Sequence, residues 1–104
     1  MESKKYNVLI APSVDSRLAE HVEFLARVSE SAALRLYEEY ENALGFLEDV
    51  PKSCSIYTPK VPIDAELRYK LFFERYRIVF EIINRDVYVY DIQDCRQDTD
   101  KSLL

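Results

Sequence analysis

Between Arg68 and Ile82 two strand-forming runs are separated only by Glu74 and Arg75. A gap of that length fits a β-hairpin turn. With Glu74-Arg75 as the turn, Phe73 pairs with Tyr76, Phe72 with Arg77, Lys70 with Val79 and Arg68 with Glu81. Strand side chains alternate between faces. One face then gathers Arg68, Lys70, Phe72, Arg77, Val79 and Glu81, and the other Tyr69, Leu71, Phe73, Ile78, Phe80 and Ile82. The second face is apolar throughout and must be covered by other elements. The first brings three cations together, with Arg77 diagonal to Lys70 at the roughly 7–8 Å at which long side chains still meet.

The covering elements lie upstream. Tyr6–Ala11 reads as a short apolar strand ended by Pro12. Val14, Leu18, Val22 and Leu25 then mark one helical face, with Ser13 as the expected cap and an end near Val28. A second cap region at Ser29–Ser31 opens a longer stripe of Ala33, Leu36, Tyr37, Tyr40, Leu44 and Leu47, halted by Val50-Pro51. Tyr37 and Tyr40 are read as core residues, and Gly45 as a close helix–helix contact. The short link between the helices makes them an antiparallel hairpin. Residues 51–66 hold three of the four prolines and no periodicity, so they read as a loop or edge segment. A third run, Val87–Ile92, follows Asn84-Arg85-Asp86. A three-residue loop there puts Tyr88, Tyr90 and Ile92 on the core side, which keeps Asp91 out of the core; a two-residue turn puts Val87, Val89 and Asp91 there. The order β-α-α-β-β-β over residues 1–104 is that of one α+β domain with a twisted antiparallel sheet.

Charge is uneven. Residues 1–66 carry 12 acids and 7 bases, whereas 67–104 carry 7 of each. Within 68–77, four bases face one acid, a local charge of +3 on a chain of net charge −5. An acidic chain does not make a broad nucleic-acid surface, but a local cluster of Arg and Lys can hold a phosphate. No apolar run approaches a membrane span, and the charged N-terminus lacks a signal core, so a cytoplasmic protein is expected. Cys54 and Cys95 fit no metal or redox spacing. His21 is the only histidine, and no nucleophile is positioned beside it. No cofactor or metal is expected.

The element order, the strand Tyr76-Arg77-Ile78-Val79-Phe80-Glu81-Ile82, the run Val87-Tyr88-Val89-Tyr90 and the late Asp94-Cys95-Arg96-Gln97-Asp98 resemble the RelE/ParE superfamily, the toxins of type II toxin–antitoxin modules. Pro51 matches a common family position. The resemblance spans Tyr6 to about Asp98. It implies a toxin neutralised by a cognate antitoxin, whose acidic amphipathic tail would mask the basic residues. It implies one of two targets. The RelE branch cuts mRNA on the ribosome, with basic side chains stabilising the charge that develops at the phosphate; the catalytic positions would then be Arg77 and Lys70, supported by Arg68 and Arg96. The ParE branch poisons DNA gyrase. The end of the chain, Thr99–Leu104, contains neither the Tyr nor the His of active nucleases, and the pI is near 4.9. An inactive interaction domain on the same fold is the alternative reading.

Overall fold

The computed structural model describes residues 5–95. Strand β1 (Asn7–Ile10) leads into two helices, α1 (Pro12–Ala26) and α2 (Glu30–Asp49). A single 3-10 turn (Pro51–Ser53) precedes the short strand β2 (Ser55–Tyr57). Then come β3 (Leu67–Phe72), β4 (Tyr76–Ile83) and β5 (Asp86–Asp94). The five strands form one sheet in the order β1-β5-β4-β3-β2. The sheet is mixed: β1 joins β5 in parallel, and the other pairs are antiparallel. The α+β architecture and the element order agree with the sequence reading. The wholly antiparallel sheet does not, and the 51–66 segment supplies an edge strand of its own.

Each helix starts from a different local cause. Ser29 caps α2 by accepting a hydrogen bond from the Ala32 amide. In α1, Pro12 stands in the first turn, where a missing N–H costs nothing, and Ala11 takes the cap position in place of Ser13. Val14, Leu18, Leu36, Tyr40, Ala43 and Leu47 point from the helices onto one sheet face. Tyr37 is half exposed and lies outside that core. The other end of the hairpin is tied to the sheet through the amides of Lys5 and Tyr6, which both donate to the Glu48 carbonyl.

The β3–β4 register differs from the expected one by a single residue. Phe72 pairs with Tyr76, Leu71 with Arg77, Lys70 with Ile78 and Arg68 with Phe80. The loop is therefore three residues, and Phe73 and Glu74 both adopt left-handed φ, at 54° and 56°. Phe73 leaves the ladder, and its amide donates to the Glu39 carboxylate of α2. A slip of one residue exchanges every side chain of one strand between faces. Phe72 joins Tyr76, Ile78 and Phe80 under the helices, while Tyr69 and Leu71 move to the opposite face.

The β4–β5 turn has two residues, Asn84 and Arg85, with Asn84 at φ 59°, a conformation that Asn tolerates. This puts Val87 and Val89 under the helices, against the three-residue reading. A register shift follows between Val79 and Phe80: Phe80 faces Val89, but Val79 faces Asp91, so Tyr90 is an extra residue. This bulge returns Ile92 to the helix side while sending Asp91 to the other.

Gly45 is exposed, and a Cβ there would meet nothing within 4 Å, so it makes no close helix contact. Gly45→Ala is expected to raise the unfolding free energy by about 1 kcal/mol through helix propensity and unfolded-state entropy. Urea denaturation reads this as a higher midpoint at constant slope; an unchanged or lower midpoint would contradict an open site.

Candidate functional site

The register decides where the basic residues go. Arg68 and Lys70 lie on the helix side of β3 at its edge, and Arg77 lies on the opposite face of β4. The expected convergence of Lys70 and Arg77 on one phosphate is therefore corrected. Arg68 is engaged locally: its Nη1 donates to the carbonyls of Cys54 (2.7 Å) and Lys52 (3.2 Å), and its Nη2 pairs with Glu66 at 3.1 Å. The Lys70 ammonium sits 4.3 Å from the Phe46 ring centroid, covering the outer side of α2. The two cations stand near the half-buried Cys54, whose thiol pKa is nevertheless pushed up because burial outweighs them. Arg96 lies outside the described residues.

Arg75 lies in the turn, as the sequence reading has it, and ties that turn to the end of β5. It makes two-point contact with Asp94, with Nη2 at 2.7 Å and Nε at 3.0 Å from both oxygens. The Cys95 amide donates to the Arg75 carbonyl at 2.7 Å. The Asp94 side chain is 1% exposed. The hydrogen bonds to Asp94 are the main reason that the Arg75 pKa is raised. His21 of α1 meets the Tyr76 ring edge-on at 5.0 Å, and burial lowers its pKa despite the nearby Asp94 charge. The +3 stretch of the sequence is thus split in space: two of its four cations are ion-paired, and the other two point to opposite faces.

The sheet face away from the helices carries the most organised polar group. Tyr57, Leu67 and Val79 form a small second core, with Tyr69 packed against it. Gln93, 2% exposed, lies beside them at the end of β5. Its amide nitrogen donates to the Tyr57 hydroxyl and to Asp91, both at 3.1 Å. Its amide oxygen accepts from Arg77 Nε at 2.7 Å. The guanidinium lies 4.9 Å from the Tyr57 ring and 5.8 Å from the Tyr69 ring. Asp91 is turned toward Arg17 of α1, at 3.5 Å. Further along, the Tyr90 hydroxyl donates to Glu81 at 2.7 Å, which pushes its pKa up to about 12.

This arrangement can bind and orient a ligand or partner group through one fixed guanidinium and two aromatic rings. Among the described residues no group of three or more His, Cys, Asp or Glu side chains is placed to hold a metal ion, and no helix is long and apolar enough to cross a membrane. Of the site, the sequence reading named Arg77 alone. Tyr57 was hidden in a segment without periodicity. Gln93 and Asp91 acquire their positions from the bulge, for which no local signal stands in the sequence.

Arg75→Ala removes the guanidinium from a buried carboxylate and is expected to destabilise the fold by on the order of 3 kcal/mol. Replacing both partners with apolar residues, Arg75→Met with Asp94→Leu, is expected to recover most of that loss. Equal destabilisation by the single and double variants in chemical denaturation would contradict this account of the pair.

Residues 8–99 match the family model described as ParE toxin of type II toxin-antitoxin system, parDE. The crystal structure of the archaeal RelE–RelB complex from Pyrococcus horikoshii OT3 contains a chain of similar fold. It superposes with a TM-score of 0.50 at 15% identity, over 90% of this chain and 99% of that one. No curated protein matches the sequence significantly.

Proposed function

The chain belongs to the ParE toxin family of type II toxin–antitoxin systems, and from that premise we propose that it arrests growth by occupying a protein target rather than by cutting RNA. The observation that carries this reading is the separation of Lys70 from Arg77 by the thickness of the sheet. In-line attack of a 2′-hydroxyl builds charge on one phosphate, and several fixed donors must point at the same place to stabilise it. Here Arg68 is committed to two carbonyls and Glu66, Lys70 to a phenyl ring, and Arg77 to the far face. The acidic net charge of −5 also disfavours the ribosome as a docking partner, since its surface is dominated by phosphate.

The ParE branch resemblance supports DNA gyrase as that target. The archaeal RelE chain was crystallised with RelB, and by analogy a cognate antitoxin holds this chain inactive. Such an antitoxin would meet a surface of mixed charge, because Arg68 and Arg75 are already neutralised by Glu66 and Asp94.

Controlled expression of the wild type is expected to arrest growth with ribosome-bound mRNA intact, and the purified protein to inhibit gyrase supercoiling. Arg77→Ala is expected to weaken that inhibition by about 10-fold or more, the loss of one well-placed charged contact. Cleavage of ribosome-bound mRNA by the wild type, at a rate that falls about 10²–10³-fold in Lys70→Ala, would overturn the proposal in favour of nuclease action.

A further inference from the structure

We propose that Arg77 is a receptor for a single carboxylate side chain presented by a protein partner, with Tyr57, Tyr69 and Leu71 as the walls that seat its apolar neighbours. The inference deepens the protein-target reading and rests on it. Of the six other arginines of the described residues, Arg17, Arg27, Arg35, Arg68 and Arg75 each have a carboxylate within 4.0 Å, while Arg85 stands exposed in the β4–β5 turn without one. Arg77 too has none among the described residues, yet unlike Arg85 it is half-buried and held on three sides. Its only hydrogen bond within the described residues is from Nε, so both Nη nitrogens are left to an outside acceptor. They are not sealed in: the one buried side-chain polar atom without a partner among the described residues is the Tyr40 hydroxyl.

Preorganisation is what makes this arginine a receptor. A free arginine side chain gives up rotamer entropy when it binds. Gln93 removes that cost here because Gln93 is itself fixed, by the Tyr57 hydroxyl and Asp91. With Nε occupied, the outward edge of the guanidinium presents its two Nη groups, a fork that matches the two oxygens of a carboxylate.

The surroundings separate a carboxylate from a phosphate chain. A nucleic acid needs several cations along its backbone. Among the described residues of this face, Arg77 is accompanied by Glu81 and by Asp91, and Arg68 and Lys70 project on the other side. A single carboxylate needs one guanidinium and gains from a dry rim. Leu71, the direct cross-strand neighbour of Arg77, is 53% exposed and supplies such a rim.

The test is an NMR titration of the full chain with four probes: acetyl-Leu-Glu-Leu-amide, its Gln counterpart, inorganic phosphate and a uridine dinucleotide. The Glu peptide is expected to shift the Arg77 Nε–H and the Tyr57 and Tyr69 ring signals saturably, and to bind about 10-fold more tightly than the Gln peptide, as a charge-assisted contact should. Arg77→Gln is expected to abolish the difference between the two peptides. Leu71→Asp, an exposed change that leaves the core intact, places a competing carboxylate against the guanidinium and is expected to weaken the Glu peptide by a similar factor. Equal affinity of the two peptides, tighter binding of phosphate or the dinucleotide, or indifference to Leu71→Asp would each overturn the proposal. Failure here alongside gyrase inhibition by the wild type would remove the receptor and leave the target reading standing. Success alongside mRNA cleavage would uphold the receptor while removing that reading.

Discussion

Phe72 pairs with Tyr76, and this pairing sets which side chains of β3 and β4 face the helices. It forces the β3–β4 loop to three residues and holds Phe73 and Glu74 in left-handed conformations, which cost about 1–2 kcal/mol each for L-residues. The compensation is specific. Phe72 and Tyr76 stack at 5.7 Å, Tyr40 closes on Phe72 at 5.8 Å, and Phe73 reaches Tyr76 at 6.1 Å. Both members of the pair are almost fully buried, and burying each aromatic side chain contributes about 1.5–3 kcal/mol. Glu39 satisfies the amide that Phe73 withdraws from the ladder. Packing against α2 thus outweighs the preference for a shorter, unstrained turn.

The same pairing partitions charge. With Tyr76, Ile78 and Phe80 under the helices, Arg77 must face away, and Arg68 and Lys70 must share the helix side. Those two escape burial because β3 lies near the sheet edge: Arg68 finds carbonyls just before β2, and Lys70 sets its ammonium over the Phe46 ring. The bulge at Tyr90 completes the partition. Without it Ile92 would face outward and Asp91 would lie under the helices; with it, Asp91 and Gln93 join Arg77 on the open face. A bend in one strand thereby assembles a polar group from three strands, β2, β4 and β5.

Much of the architecture was legible because it rests on periodicity. The helical stripes from Val14 to Leu25 and from Ala33 to Leu47 are long enough to be unambiguous, and Ser29 caps α2 as its chemistry suggests. Register is another matter. Phe73 is a strand former by propensity, and only its contact with α2 draws it out of the ladder. At the next turn Asp91 does stay out of the core, but the chain achieves this with a bulge rather than a longer loop. Tyr37 and Gly45 show the limit of stripe counting: both fall at helical spacing, yet the one is half exposed and the other leaves open space where a Cβ would stand. Arg77 stands out in the sequence through the local run of cations and the family-like strand around it; Gln93 and Tyr57, which hold it, are ordinary residues until the strands are paired.

The sheet separates Arg77 from Lys70. Nuclear Overhauser contacts on the isotope-labelled chain test it directly. Cross-peaks are expected between the Lys70 side-chain methylenes and the Phe46 ring, and between the Arg77 methylenes and the rings of Tyr57 and Tyr69. Cross-peaks joining the Lys70 and Arg77 side chains, with none from Lys70 to Phe46, would place both cations on one face and contradict it.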